Sequence, residues 1–149
     1  MEGATEFLTH PVFGTLGWLP QYLHWFAQPT RANGTRPDVI LDPHDGDRYA
    51  FLPRAAELFL WAIDHQEALL DEAIRSMLLE LYNERWCQEG DPELDAAAFK
   101  DVLCWDLLTI RAWTVQPVEF GYDPGELFGG HCLTVRVDGE LRYRGAGLM

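Results

Sequence analysis

RAAELFLWAIDHQEALLDEAIRSMLLELYNERWC, residues 54–87, contains neither Gly nor Pro and is rich in Ala, Leu, Glu and Met, residues that lose little on entering a helix. Within it Leu70, Ile74, Met77, Leu78, Leu81 and Tyr82 recur at three- and four-residue spacing, which lays an apolar stripe along one helix face. Leu58, Trp61 and Ala62 form a similar stripe earlier, while Asp71, Glu80 and Glu84 fall largely outside the stripe. The polar stretch Asp64-His65-Gln66-Glu67 either separates two helices or lies on one long one. A break is expected here, because an unbroken helix from Arg54 to Cys87 is unusually long for a chain of 149 residues.

Downstream, Glu89-Gly90-Asp91-Pro92 stops the helix, Gly supplying a left-handed exit and Pro being unable to continue. Asp95 is placed to cap a short helix through Leu103, its carboxylate accepting the orphan N–H groups of the first turn. Leu107 to Val115 then reads as a central strand and Pro117 to Tyr122 as another. In Leu133 to Val137, Leu133, Val135 and Val137 alternate with Thr134 and Arg136, a half-buried strand. A two-residue Asp138-Gly139 turn would pair Val137 with Glu140 and put Arg142 on the face of Val135. Shifting by one residue sets Leu141 opposite Val137 and Tyr143 opposite Val135, so one buried face demands a three-residue loop or a bulge.

Upstream, Val12 to Trp18, Tyr22 to Ala27 and Asp38 to Leu41 carry the aromatic and β-branched residues of strands. Asn33-Gly34 suits a tight turn, Pro43 to Asp47 closes the third strand, and Arg48 to Leu52 can supply a short fourth. The expected fold class is α+β: an antiparallel sheet built from an N-terminal meander and C-terminal strands, packed against the central helical segment. With no internal repeat or linker, residues 1–149 read as one domain.

Hydrophobic residues make up 48% and aromatic residues 13% of the chain, too rich a mixture for disorder. The densest apolar run, Leu58 to Ile63, is far shorter than a membrane span, and Met1 to Glu6 lacks the basic flank and apolar run of a signal peptide. A cytoplasmic location is the resulting expectation. Cys87, Cys104 and Cys132 are widely spaced with no C-x-x-C pair, and read as reduced, small, buried hydrophobes. Net charge is −13, which repels nucleic-acid phosphates and acidic membranes and steers basic partners inward. Much of it is local: Pro53 to Asp95 holds 11 carboxylates against Arg54, Arg75 and Arg85, a net of −8.

Signs of catalysis are sparse. His131 follows Gly129-Gly130 and precedes a strand; it is either a base or ligand at a cleft, or an imidazole hydrogen-bonded to a carboxylate or carbonyl that locks the turn, and the second reading is preferred. Cys132 does not form a dyad with it, since successive strand side chains point to opposite faces. Asp42-Pro43-His44-Asp45-Gly46-Asp47 clusters oxygen ligands but lacks the closing Glu of a calcium loop, and reads as a turn. The chain has no H-E-x-x-H, no G-x-S-x-G and no P-loop, so no cofactor, metal or catalytic residue is assigned. Trp18, Trp25, Trp61, Trp86, Trp105 and Trp113 are expected mostly in the core, with one or two partly exposed.

Four elements in order, Phe13-Gly14, Leu81-Tyr82-Asn83-Glu84-Arg85-Trp86, Phe99 and Leu127-Phe128-Gly129-Gly130-His131, followed by Val135 and Gly139, resemble the outline of a group of bacterial families of uncharacterised function. Members of that kind resemble proteins of polymorphic-toxin neighbourhoods, where small acidic proteins serve as immunity factors. The resemblance implies a non-catalytic immunity protein that neutralises a basic toxin domain by protein–protein binding, and it carries over no catalytic residue. The residues expected at such an interface are Asp71, Glu80, Glu84 and His131. Two other readings stand beside it: a small enzyme assembled from His131, His44 and carboxylates, and a structural accessory protein, for which a homodimer is compatible.

Overall fold

The computed structural model describes residues 2–29 and 37–149. Eight strands form one sheet in sequence order: β1 (Glu6–His10), β2 (Gly14–Leu19), β3 (His24–Ala27), β4 (Asp38–Asp42), β5 (Cys104–Arg111), β6 (Val118–Asp123), β7 (Leu133–Val137) and β8 (Tyr143–Leu148). The α+β class is thus observed. Neighbouring strands are antiparallel except β4 and β5, which run parallel with Asp38 beside Leu107 and Asp42 beside Arg111. That pair joins the two meanders, and its direction follows from the connection: the long helix carries the chain back along the sheet, as parallel neighbours require. The expected Asn33-Gly34 turn lies outside the described residues.

The middle segment differs from its expectation. α1 (Leu52–Ala73) passes straight through Asp64-His65-Gln66-Glu67, then continues as a π turn (Ile74–Leu78), a short α2 (Leu79–Leu81) and a second π turn (Tyr82–Trp86). At about 1.5 Å per residue this rod is roughly 50 Å long. The polar quartet does not break it because each member has a helical role. Asp64, His65 and Glu67 face solvent, and His65 stacks on Trp61 one turn back, at 4.6 Å between ring centroids. Gln66 turns inward and donates to the Tyr122 hydroxyl at 2.7 Å. Burial holds that phenol protonated well above the ordinary tyrosine range, so it accepts from Gln66 as a neutral group.

The sheet buries one face against this rod. Alternate residues such as Trp25, Leu41, Leu108, Phe120 and Val135 are fully buried and join Leu58, Leu70, Ile74 and Leu78 in the core cluster, each contributing about 1.5–3 kcal/mol by leaving water. Beyond Trp86 the chain turns through Gly90, whose φ is 96°, and enters α3 (Ala96–Val102). Asp95 caps α3 by accepting from the Ala98 N–H at 2.8 Å. Lys100 of α3 reaches back to Glu67 (2.9 Å) and Asp71 (2.8 Å), fixing the short helix against the long one.

Three local readings are corrected. Arg48 to Leu52 is no strand: Arg48 to Phe51 form a turn and Leu52 begins α1, with Asp47 accepting from the Tyr49 and Ala50 N–H groups. The unforeseen strand β1 pairs with β2 from Glu6 opposite Trp18 to His10 opposite Gly14. The last hairpin has the expected bulge, at Arg136/Val137, but Val137 faces Tyr143 and Val135 faces Ala146. Asp138 explains the shift: its carboxylate accepts from the Glu140 and Arg142 N–H groups, and the N–H of Leu141, itself at φ 61°, donates to the Asp138 carbonyl. The loop is therefore wider than a tight two-residue turn.

Candidate functional site

The acidic segment lies open. Of the 11 carboxylates between Pro53 and Asp95, all but the half-buried Glu72 are exposed. Salt bridges engage only Glu57 with Arg54, and Glu67 and Asp71 with Lys100. Two hydrogen-bonded carboxylates hold the Lys100 ammonium charged well above its usual range. Asp71 is thus already spent on a contact within the chain. Glu80 and Glu84, one turn apart on the second half of the rod, are exposed and make no ion pair with the described residues.

The motif residues near the end of the rod come together, and what they build is structural. Phe128 is fully buried; its ring meets those of Tyr82 and Trp86 edge-on at 5.7 Å and Phe99 at 6.1 Å. Four rings from three segments distant in sequence thereby share one aromatic cluster, each edge-to-face contact adding about 0.5–1.5 kcal/mol beyond area burial. Asn83 clamps the chain that follows, donating to the Leu94 carbonyl at 2.9 Å and accepting from its N–H at 3.0 Å. Gly129 and Gly130, at φ 62° and 90°, turn the chain tightly past Trp86, whose ring would sit 3.4 Å from a Cβ on Gly129.

His131 emerges from that turn exposed. Its Nδ1 contacts the Met149 carbonyl at 3.1 Å, and its ring meets Trp86 edge-on at 5.6 Å. The imidazole therefore ties the Gly-Gly turn to the end of β8, the carbonyl partner that the sequence suggested, but on the surface. A cleft nearby is lined by Trp86, Asp91, Glu126 and Gly129 and does not include His131. His44, also exposed and at φ 59°, sits in the turn after Asp42. Strand register separates the two histidines: Asp42, Arg111, Val118 and Val137 mark one end of the sheet, whereas Cys104, Asp123 and Leu133 mark the other. No site combining His44 with His131 is assembled.

The cysteines are not the buried residues expected: Cys104 and Cys132 are exposed and Cys87 is half-buried. Their positions explain this, since Cys104 is the first residue of β5 and Cys132 immediately precedes β7, at the end of the sheet. No cluster of three or more His, Cys, Asp or Glu side chains able to hold a metal occurs among the described residues. Asp42 to Asp47 folds as a turn, with the His44 N–H donating to Asp42 Oδ1 at 2.8 Å. Trp18 and Trp25 are buried, and Trp61, Trp86 and Trp105 pack half-buried against the core. Trp113 is 43% exposed.

Two residues that sequence reading passed over line a cleft of about 400 Å³ at the opposite end of the rod. Arg54 stands in the first turn of α1; Arg111 ends β5, and its side chain joins Glu119 on the sheet face opposite the buried Ile110 and Val118. Phe51, Leu58, Trp113 and Pro117 supply apolar walls, and Asp47 adds one carboxylate. Hydrogen bonds from the Ala50 and Tyr49 N–H groups keep Asp47 ionised below the usual carboxylate range. Arg111 Nη2 donates to Glu119 at 3.0 Å. Its Nη1 is the one buried side-chain nitrogen or oxygen among the described residues without a hydrogen-bond partner. The signal in the sequence was a lone arginine closing the apolar run that begins at Leu107.

No family model, curated protein or solved structure matches this chain. No helix of the described residues is long and apolar enough to cross a membrane.

Proposed function

We propose that this chain is a non-catalytic binding domain whose acidic helical side meets a basic protein partner, with the immunity role implied by the resemblance as its biological setting. One observation carries the reading. The carboxylates of the rod, half-buried Glu72 apart, and those of residues 89–95 stand in solvent, and only Glu57, Glu67 and Asp71 among them are matched by a described cation of the chain. Unmatched like charges on one element oppose the folded state through self-repulsion. They become favourable when a complementary basic surface arrives. The aromatic cluster and the Asn83 clamp support the same reading, because they hold the second half of the rod rigid and so present Glu80 and Glu84 with little ordering cost on association.

The test is capture of a partner from the native organism, followed by association kinetics at several salt concentrations. Association should be fast at low salt and slow markedly as salt rises, since screening acts over about 10 Å at 0.1 M. Glu80→Lys with Glu84→Lys should lower the on-rate with little change in the slope of unfolding. A partner whose association ignores both salt and charge reversal would overturn the electrostatic reading. Turnover of a small molecule without a protein partner would replace it with the enzyme.

A further inference from the structure

The cleft at the C-terminal end of the rod joins aromatic walls to carboxylates that no described cation neutralises. Its volume is about 240 Å³, and Tyr82, Trp86, Asp91, Glu126 and Gly129 are among its walls. Two tight turns carry the carboxylates there. Asp91 follows Gly90, at φ 96°, and its N–H donates to the Gln88 carbonyl at 3.0 Å. Glu126 sits in the turn before Phe128, where the Gly129 N–H donates to the Glu126 carbonyl at 3.4 Å. The two come from distant segments, yet both line one cleft, both are exposed, and neither joins a salt bridge among the described residues. Like charges set around one cavity repel until a cation joins them.

The rings point to the same ligand. Tyr82 is only 6% exposed, is packed against Phe99 and Phe128, and lines the cleft. Burial, the Cys87 thiol and the charge of Asp91 hold its phenol protonated above the ordinary tyrosine range. The thiol proton is itself directed at the Asp91 carbonyl, 3.5 Å away, so the lone pairs of the phenol oxygen remain for the N–H of a ligand. Trp86, half-buried, is held by edge contacts to Phe128 and His131 at 5.7 and 5.6 Å. Arg85 is exposed and precedes Trp86, but it is not part of the lining. Aromatic walls, two unmatched carboxylates and a free acceptor together select a cation. We propose that the cleft takes the guanidinium of an arginine on the basic partner, forked between Asp91 and Glu126 with Tyr82 and Trp86 beside it. This role rests on the acidic side being a protein-binding face, and it adds a specific anchor to what is otherwise diffuse steering. A guanidinium suits the cleft better than an ammonium because it is planar, presents five N–H donors in a fixed fork and stacks on rings. The volume falls below the roughly 300 Å³ at which small-molecule sites begin, and fits one side-chain head.

NMR titration of the full chain with the end-blocked tripeptides Gly-Arg-Gly, Gly-Lys-Gly and Gly-citrulline-Gly tests the anchor without any natural partner. Saturable shifts of the Trp86 indole and the Gly129 amide are expected with the arginine peptide. The lysine peptide should bind about threefold more weakly, and the citrulline peptide, which keeps the shape and loses the charge, should not bind. Asp91→Asn and Glu126→Gln should each weaken the arginine peptide about tenfold, the effect of losing one charge-assisted contact, and Tyr82→Phe about threefold. Both carboxylates are exposed, so their variants keep the test decisive if Tyr82→Phe fails to fold. Glu140→Gln, in the loop of the last hairpin, removes the same charge elsewhere on the surface and should leave binding unchanged. Lysine bound as tightly as arginine, or Glu140→Gln as damaging as Asp91→Asn, would reduce the effect to general attraction toward a chain of net −13 and overturn the proposal. Binding of the citrulline peptide, or no saturable shift with any peptide, would overturn it too. A captured partner whose association follows salt while its off-rate ignores Asp91→Asn and Glu126→Gln would remove the anchor and leave the electrostatic reading standing. Arginine binding in the cleft beside a partner indifferent to salt would remove the electrostatic reading and leave the anchor.

Discussion

At its N-terminal end the long helix meets the sheet across a cleft of about 400 Å³ whose walls include Arg54, Leu58 and Trp113. At its C-terminal end the same rod is sealed: Tyr82 and Trp86 close on Phe128 and Phe99, and Asn83 fastens the outgoing chain at Leu94. One end is left open, while the other is closed by ring contacts and by the two hydrogen bonds of Asn83. The difference separates two demands on a single element. A rod of this length needs one strongly packed end to fix its direction, and the other end, relieved of that duty, can stay open. Two π turns fall in the packed half; such turns rotate the side chains that follow relative to an unbroken α-helix, which places Tyr82 and Trp86 on the aromatic cluster.

The largest effect should come from breaking the sealed end. Phe128→Ala removes a fully buried ring that three others contact, and should cost about 3–5 kcal/mol, lowering the melting temperature by roughly 10 °C or more for a chain of this size. Calorimetry showing a change below about 1 kcal/mol would mean that the cluster is not what anchors the rod. Asn83→Ala comes next. It strands both backbone groups of half-buried Leu94, for a loss of about 1–3 kcal/mol, and should sharply raise proteolytic cleavage between residues 88 and 95. Asn83→Asp should fall between, because a carboxylate can still accept from the Leu94 N–H but cannot donate to its carbonyl. Equal effects of the two substitutions would sink the clamp as drawn.

The sealed end was far more legible in the sequence than the open one. Its residues are aromatic, and their order along the chain, Tyr82, Trp86, Phe99 and Phe128, could be noted before any fold was known, although not that they touch. The helix itself was visible because nothing from Arg54 to Cys87 interrupts it. Its continuity was not, because Gln66 looks like a linker residue until Tyr122 of β6 stands opposite it. The exposure of Cys104 and Cys132 was hidden for a related reason: composition says how often cysteines are buried, but only register says that these two lie at strand ends. The cleft was least legible of all. Its walls come from segments far apart in sequence, brought together because the parallel β4–β5 pair sets Arg111 beside Asp42, next to the turn that starts α1.

His131 gives a smaller contrast between the ends. A buried imidazole would have been costly to remove; this one is exposed, with a single bond to the Met149 carbonyl and one edge contact to Trp86. His131→Ala should therefore cost about 1 kcal/mol or less, and its main trace should be faster amide exchange at the end of β8. A loss of several kcal/mol in equilibrium denaturation would show that the Gly-Gly turn depends on the imidazole far more than its exposure allows.

The smallest effect on the fold should come from Glu80 and Glu84, and its smallness is informative. Both are exposed, and neither pairs with a described cation. Reversing both to Lys should change stability by no more than about 0.5 kcal/mol in moderate salt. At low ionic strength the sign should favour the variant, because two charges of a region with net −8 now attract their neighbours in place of repelling them. Urea denaturation at two salt concentrations measures this directly: the variant should be the more stable at low salt, and the gap should close as salt rises. A variant destabilised at low salt would mean that these carboxylates hold the chain together. They would then be unsuited to the part proposed for them, which is to remain unmatched until a basic surface arrives.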